Sequence, residues 1–368
     1  MAGILNPSDI TFNGKEVASI GEMIIEEVFA KPTLDQVHTI ETGIVAKQQI
    51  GYAGRFTGLY GKKQTGCEPE VDTKTIGFSQ KFWDPQMVEG RLKQCYKDLL
   101  PSFWAWTQGK GLKKADVSKG DFANFITERM SDLLWENWLI KFWFSNTQAA
   151  NYSSSPSGVI TNGIDLDYFN IIDGFFEQIF DIITADSNRY TGDISSGVGL
   201  ATKNGQSTTA LQRFNSTDVT NHVVTETLAN LKYEADYRMR NKANLQYLVT
   251  QSVFDQYSRE LRSYNNVQVS YERIEGGYTS LMFEGIPVIA LDFWDRTIES
   301  YENDGTKLNK PHRALLTTKD MLRAGIEEEG NLKEVEIWYE KKEKAVYIDT
   351  AASIDAKYSQ DFMVQMAY

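Results

Sequence analysis

Cysteine, histidine and long apolar runs are all scarce in this chain of 368 residues. Its two cysteines, Cys67 and Cys95, make neither a disulfide framework nor a CxxC zinc site, which favours reduced thiols in a cytosolic setting. The three histidines, His38, His222 and His312, have no metal-ligand or catalytic spacing, and neither HExxH nor GxSxG occurs. Solvated or structural roles are expected for His38 and His312. No apolar run approaches the roughly 18 residues of a membrane span. The opening MAGILNPSDITFNGKEV lacks a basic stretch followed by an apolar one, so no signal peptide is expected. Positive charge is in deficit, with 38 Lys and Arg against 50 Asp and Glu, a net charge of -12. That argues against gripping nucleic acid over the whole surface, because phosphate neutralisation needs clustered cations; a local basic patch stays open.

Aromatics are plentiful: 8 Trp, 18 Tyr and 19 Phe. They serve cores and interfaces alike, so the excess points to large contact surfaces. With 41% hydrophobic and 24% charged residues the chain reads as globular. Its length predicts two or more compact units, or one domain with long excursions.

Residues 1–42 read as an arm with one helix, SIGEMIIEEVFAK, capped by Ser19 and stopped at Pro32. Residues 43–82 are Gly-rich with extended ends, and predict a two-stranded hairpin whose tip lies between about Gly54 and Asp72. Such a ribbon buries little by itself and must lie on its own body or on a neighbour. Gly61-Lys62-Lys63 within it mimics a phosphate loop but lacks the upstream Gly and the Ser or Thr. Asp84 and Pro85 predict a helix start, with Met87, Leu92, Cys95, Tyr96 and Leu99 as its buried face. The longest helical pattern runs over 118–145, and its last turns, Trp135 to Phe144, are apolar nearly all round and so predicted buried. After a small-residue junction at 146–163 comes a predicted helix over 165–186, with Tyr168, Ile171, Ile172, Phe175, Ile179 and Ile183 on one stripe. Residues 187–217 read as a mobile exposed loop, and 221–240 as a helix capped by Thr220.

A strand over 245–250 leads into a helix from Ser252. In FEGIPVIALD, Gly285 and Pro287 interrupt an apolar stretch. Glycine there suggests a bulge or close approach, and proline belongs at an edge, a strand start or a bulge, so two short strands around a bend are predicted. Further strands are expected at 313–317, in a hairpin over 332–350, and at the C-terminal DFMVQMAY. Asp292 and Asp295 flank Phe293-Trp294, which could pair two carboxylates beside an aromatic platform, as in a glycosidase; one sequence does not fix their separation. GVGLATKNG does not match GxGxxG.

The order of these elements resembles the major capsid proteins of tailed bacteriophages, a fold shared with encapsulin shells. NLQYLVTQSVFDQYSREL is similar to that family's strand-then-helix element, FEGIPVIALD to its Gly-x-Pro-Val strand, and RALLTTKDMLRAGI with VEIWYEKKEKAVYIDT to its late return. The resemblance rests on order and pattern over nearly the whole chain rather than on one motif. It implies an α+β phage capsid fold: N-terminal arm 1–42, extended loop 43–80, peripheral domain 81–158 and 318–352 with a long spine helix, and axial domain 159–317 and 353–368. It further implies a non-enzymatic protein with no cofactor or metal, self-assembling into hexamers and pentamers of an icosahedral head around double-stranded DNA. Portal, scaffold or decoration proteins would be partners, the packaged DNA would be contacted non-specifically, and no membrane would be involved. The location would be the virion, after assembly in the host cytoplasm.

Arg55, Tyr60, Lys62 and Lys63 become expected intersubunit contacts in the extended loop, and Trp138, Gly285 and Pro287 expected structural residues. The arm is too short for the helical scaffolding segment that many members carry, implying a separate scaffold or none. Some members cross-link Lys to Asn; Lys62 and Lys63 lie in the corresponding loop, with no Asn singled out as partner. Two other readings stay open: an encapsulin-like compartment shell, and a carbohydrate-active enzyme or lectin built on the aromatics and acids.

Overall fold

The computed structural model describes residues 37–53, 78–95, 136–154, 158–192, 203–265, 272–273, 279–327, 336–340, 342–343 and 345–368. Within them the strands form two mixed sheets and a ribbon. The first sheet runs β1 (Thr39–Glu41), β10 (Leu322–Ile326), β12 (Ala345–Tyr358), β11 (Glu336–Glu340), with β4 (Gln86–Cys95) also on β12. The second runs β13 (Gln365–Ala367), β9 (Ala314–Thr318), β5 (Leu245–Val249), β8 (Ile286–Ala290), β7 (Thr279–Phe283), β6 (Glu272–Arg273). The ribbon pairs β2 (Gln48–Ala53) with β3 (Phe78–Trp83), which are the expected hairpin ends; its tip lies outside the described residues.

Helix α1 (136–144) and α2 (Phe175–Ala185) fill the space between the sheets. Residues 138–144 are all buried, as the apolar girth of that segment predicts. Trp143 sits among Phe175, Phe176 and Trp294 with ring centroids 5.1, 5.2 and 4.8 Å away. Beyond α2 come α3 (Thr209–Gln212), α4 (Ser216–Thr220), α5 (Val223–Glu234), α6 (Tyr237–Arg240), α7 (Gln251–Asn265) and α8 (Asp292–Tyr301). A second core joins α5 and α7 to the second sheet through Leu228, Leu231, Val253, Phe254, Tyr247 and Val288.

The bend at 284–285 is a two-residue hairpin turn. Glu284 (φ 48) and Gly285 (φ 80) are both left-handed, the combination that matches the twist of the strands it joins. Phe283 and Ile286 close it, so Pro287, opposite Met282, takes a position whose absent N–H faces away from β7. On that far side, pairing with β5 begins one residue later, at Val288. Proline therefore costs the ladder nothing, and no bulge is needed.

Four expectations are corrected. Residues 86–95 form a strand, not a helix. The Asp84 amide donates to the Asp355 carboxylate at 2.6 Å instead of opening a helical turn, and β12 supplies ten cross-strand partners from Gln86↔Ile354 to Cys95↔Ala345. Met87, expected inside, is 77% exposed. The helix expected over 165–186 begins only at Phe175. Gly174 packs so tightly on α1 that an added Cβ would stand 2.9 Å from the Trp143 carbonyl oxygen, and the chain before it makes a short 3-10 turn at Leu166–Tyr168.

The helix expected over 221–240 is two, α5 and α6, with the separate short α4 just before them. Asn215 and Asp218 form a capping box on α4, His222 turns left-handed (φ 50), and Asp236 caps α6. Asn215 lies in the stretch read as a loop, and from 203 on that stretch is bonded to the body. Finally, the arm's described end is integral. Val37 and His38 are buried, and β1 pairs parallel with β10. The predicted arm helix lies outside the described residues.

The ribbon meets the body through one aromatic. Trp83 is buried over Gly325, where an added Cβ would lie 2.7 Å from the indole. Gly325→Ala should displace that ring and cost about 1–3 kcal/mol in chemical denaturation, with a red shift of tryptophan emission. Gly51→Ala, in β2 with nothing within 4 Å, should stay within about 0.5 kcal/mol. Likewise Trp138, 5% exposed, should cost about 3–5 kcal/mol on truncation to Ala. Tyr237→Ala, at a position 66% exposed, should cost no more than about 0.5 kcal/mol.

Candidate functional site

The polar cluster that most resembles catalytic machinery comes from three elements. Thr250 ends β5 and passes directly into α7, bringing Ser252 into its first turn. The turn before β9 delivers His312, and α8 delivers Asp295. Together they line a cleft of about 190 Å³. Ser252 Oγ lies 2.8 Å from His312 Nδ1. The other ring nitrogen, Nε2, is 2.7 Å from the Gln212 carbonyl oxygen. A carbonyl can only accept, so Nε2 carries the proton and the Ser252 hydroxyl donates to bare Nδ1.

Serine, histidine and aspartate are thus brought together, but not in the order of a triad. In a triad the carboxylate grips the far nitrogen of the base and stabilises the imidazolium. Here Asp295 accepts the backbone amides of Gln251 (2.5 Å) and Ser252 (3.3 Å), satisfying two orphan donors at the start of α7. Burial pushes its carboxyl up to about 6. Burial likewise lowers His312 to about 4, which makes it a poor base at neutral pH. The arrangement ties α7, α8 and the residue 212 turn together; it does not prepare a nucleophile.

The glycosidase-like pairing is not there. Phe293 and Trp294 are buried in the core between the sheets, so they offer no platform for a sugar. Asp292 accepts from the Phe293 amide at 2.9 Å, and burial raises its carboxyl. No group of three or more His, Cys, Asp or Glu side chains among the described residues is placed to hold a metal. No described helix is long and apolar enough to cross a membrane. His38 is enclosed by the edges of Phe142 and Phe175, at 5.8 and 5.7 Å between centroids. Arg55, Tyr60, Lys62 and Lys63 lie outside the described residues.

Sequence reasoning missed the root of the ribbon, where several polar anchors converge. Gly43 and Ile44 donate to the carbonyls of Glu327 and Ile326, at 2.9 and 3.1 Å. Lys81 Nζ reaches both the Tyr358 carbonyl and Asp361, each at 2.6 Å. Around these anchors Val45, Phe82 and Met87 are exposed. Of the whole set, the sequence signals only Trp83, as the last large apolar residue before Asp84-Pro85. Two lysines also sit in low-dielectric surroundings. Lys141 donates to the Tyr168 carbonyl beneath that residue's ring, and burial lowers its ammonium to about 7. Lys310 lies between the rings of Phe180 and Tyr368, at 4.0 and 3.8 Å, and burial lowers it to about 8.

No family model and no curated protein sequence matches the chain. Solved structures do. A chain of the cyanophage A-1(L) capsid asymmetric unit superposes with a TM-score of 0.52 at 10% identity, covering 95% of each chain. A chain from Mycobacterium phage Ogopogo superposes at 0.50 and 10% identity, covering 94% of this chain and 95% of that one. The SrpI encapsulin from Synechococcus elongatus aligns over 96% and 92% at 7% identity, with a TM-score of 0.45 that carries no weight below. The chain has the phage capsid fold, α+β as its element order implies.

Asp295→Ala should remove the cap on α7 and cost about 0.5–2 kcal/mol. A fluorophosphonate probe should leave Ser252 unlabelled at pH 7.5; stoichiometric labelling read by mass spectrometry would mean that the dyad is a working nucleophile.

Proposed function

We propose that this chain is the major capsid protein of a tailed phage, assembling as hexamers and pentamers into an icosahedral head around double-stranded DNA. The observation that carries the proposal is the superposition on a cyanophage capsid chain over 95% of both chains, so that the fold is shared from end to end rather than in one piece. Supporting it is the ribbon β2–β3, which pairs with itself and meets the body at its root through Trp83. A two-stranded ribbon is marginal alone in water and gains stability from a surface to lie on, which a neighbouring subunit supplies.

In this reading the division is arm 1–42, whose end at Thr39–Glu41 joins the first sheet, extended loop 43–80, peripheral domain 81–158 and 318–352, and axial domain 159–317 and 353–368. Arg55, Tyr60, Lys62 and Lys63 contact the next subunit, and Trp138 holds the spine helix in the body. The protein is not an enzyme. Its partners are copies of itself, with portal, scaffold or decoration proteins. The net charge of -12 suits a shell that encloses DNA without gripping it tightly. Assembly takes place in the host cytoplasm, and the virion is the final location.

Purified protein should form rings or closed shells in negative-stain images; a stable monomer by light scattering across concentration and salt would count against assembly. Deleting residues 55–71 should leave a subunit with the parental denaturation midpoint that assembles poorly. Loss of folding in that variant would place the loop in the subunit's own core.

A further inference from the structure

Residues 203–214 cross the 306–312 turn almost wholly through polar bonds. Asn204 pairs with the backbone of His312 in both directions, donating to its carbonyl at 2.8 Å and accepting its amide at 3.1 Å. Gln212 does the same with Leu308, at 2.8 and 3.0 Å. The amide and the hydroxyl of Thr209 both donate to the Thr306 carbonyl at 2.9 Å. As far as Gln212 apolar burial adds little, since Leu211 is 53% exposed and Gln212 is the one buried residue; Phe214, just beyond, packs on the second core and stays with the body. The imidazole of His312 is closed beneath it, bonded on one side to the Gln212 carbonyl, on the other to Ser252, and covered by the Phe214 ring at 4.3 Å.

We infer that residues 203–212 form a strap that opens as a unit while both sheets persist, and that protonation of His312 releases it. A hold made of exchangeable polar bonds has little hydrophobic surface to lose, so opening competes with water rather than with the core. The neutral ring has one donor and one acceptor, and both are matched. A proton on Nδ1 forces the Ser252 hydroxyl to reverse and leaves a cation in a buried site.

The charged groups around it do not hold that cation. Lys203 and Asp218 pair with each other at 2.9 Å. From α8 come Asp295, bound to helix amides, and Glu299 at the cleft mouth. Arg213, with Asp255 and Arg259 of α7, lines the opposite side. None of the carboxylates bonds the ring.

The closed strap holds His312 at about 4, against 6.5 for a free imidazole. The open form therefore binds the proton more tightly, and acidification from pH 7 to 5 favours opening roughly 20-fold. Asp295 works in the other direction. Its carboxyl, raised to about 6, favours opening as pH rises, to the extent that opening wets it.

Amide hydrogen exchange on the full chain, corrected for intrinsic rates, tests the strap. Protection at Leu211 and Gln212 should fall between pH 7 and 5, by roughly 20-fold if opening leaves Asp295 closed and roughly 2-fold if it wets Asp295 fully, while β5 and β9 stay protected. His312→Gln should abolish that response, and Asp295→Asn should keep or steepen it. Strap and sheet losing protection together, or a response that survives His312→Gln, would overturn the inference. Should His312→Gln fail to fold, NMR titration of the ring in the unaltered protein decides: a midpoint below 5 supports the latch, and one near 6.5 overturns it.

Discussion

The core between the two sheets is built around the enclosure of Trp143. Its indole is fully buried, with Phe175, Phe176 and Trp294 edge-on or tilted against it, so α1, α2 and α8 converge on one side chain. Glycine at 174 is the condition for that approach, because a Cβ there would stand within 3.0 Å of three backbone carbonyl oxygens at the end of α1. Once α2 is fixed, Gln178 ties it to β12, donating to the Ala356 carbonyl at 2.7 Å and accepting the Tyr358 amide at 2.9 Å. The first sheet is thereby fastened to the helix that packs on the second. Arg313 enters the same core, with its guanidinium 4.4 Å from the Phe176 ring and Glu302 as its ion-pair partner. A buried pair of that kind is a weak source of stability, but losing either partner strands the other in a dry site.

Outward from that centre, the burial falls away unevenly. Around β10 both ends of the chain are drawn in, and Leu322, Ala324 and Ile326 are closed to solvent. Farther along β12, where β4 lies beside it, Met87 and the Arg91–Asp349 pair are open to water. The first sheet is thus core at one end and surface at the other. The same gradient appears on the second sheet, where Val288 is buried while Met282 of β7 is exposed.

What the sequence revealed were features decided within a few residues. The Glu284-Gly285 turn, the entry of β5 into α7, the hairpin of β11 with β12 and the ends of the ribbon all follow from local turn chemistry and apolar alternation. What it hid was decided by distant partners. Asp84-Pro85 is a sound helix-start signal, yet residues 86–95 pair with a strand more than two hundred and fifty positions later, and ten ladder partners outweigh a capping preference. The helical stripe over 165–186 is real from Phe175 onward; its first part is displaced because Gly174 must touch α1, which no local pattern encodes. The Ser252–His312 contact joins residues 60 positions apart, and nothing in the flanking sequence marks it. The candidate assembly residues follow from resemblance in element order, since a loop that meets another subunit carries no internal periodicity to read.

The pairing of β1 with β10, residues more than 280 positions apart, has a kinetic consequence. Thr39–Glu41 can find β10 only after residues 322–326 exist, and β9 stays bare along one side until Gln365–Ala367 arrive. Pairings of such sequence separation must be closed against large loop entropy and form late. Each sheet therefore keeps one open margin until its distant strand docks. An unpaired strand edge is a template for wrong pairing, so the slow docking of β1 and β13 leaves both sheets open to misplaced strands for as long as it takes.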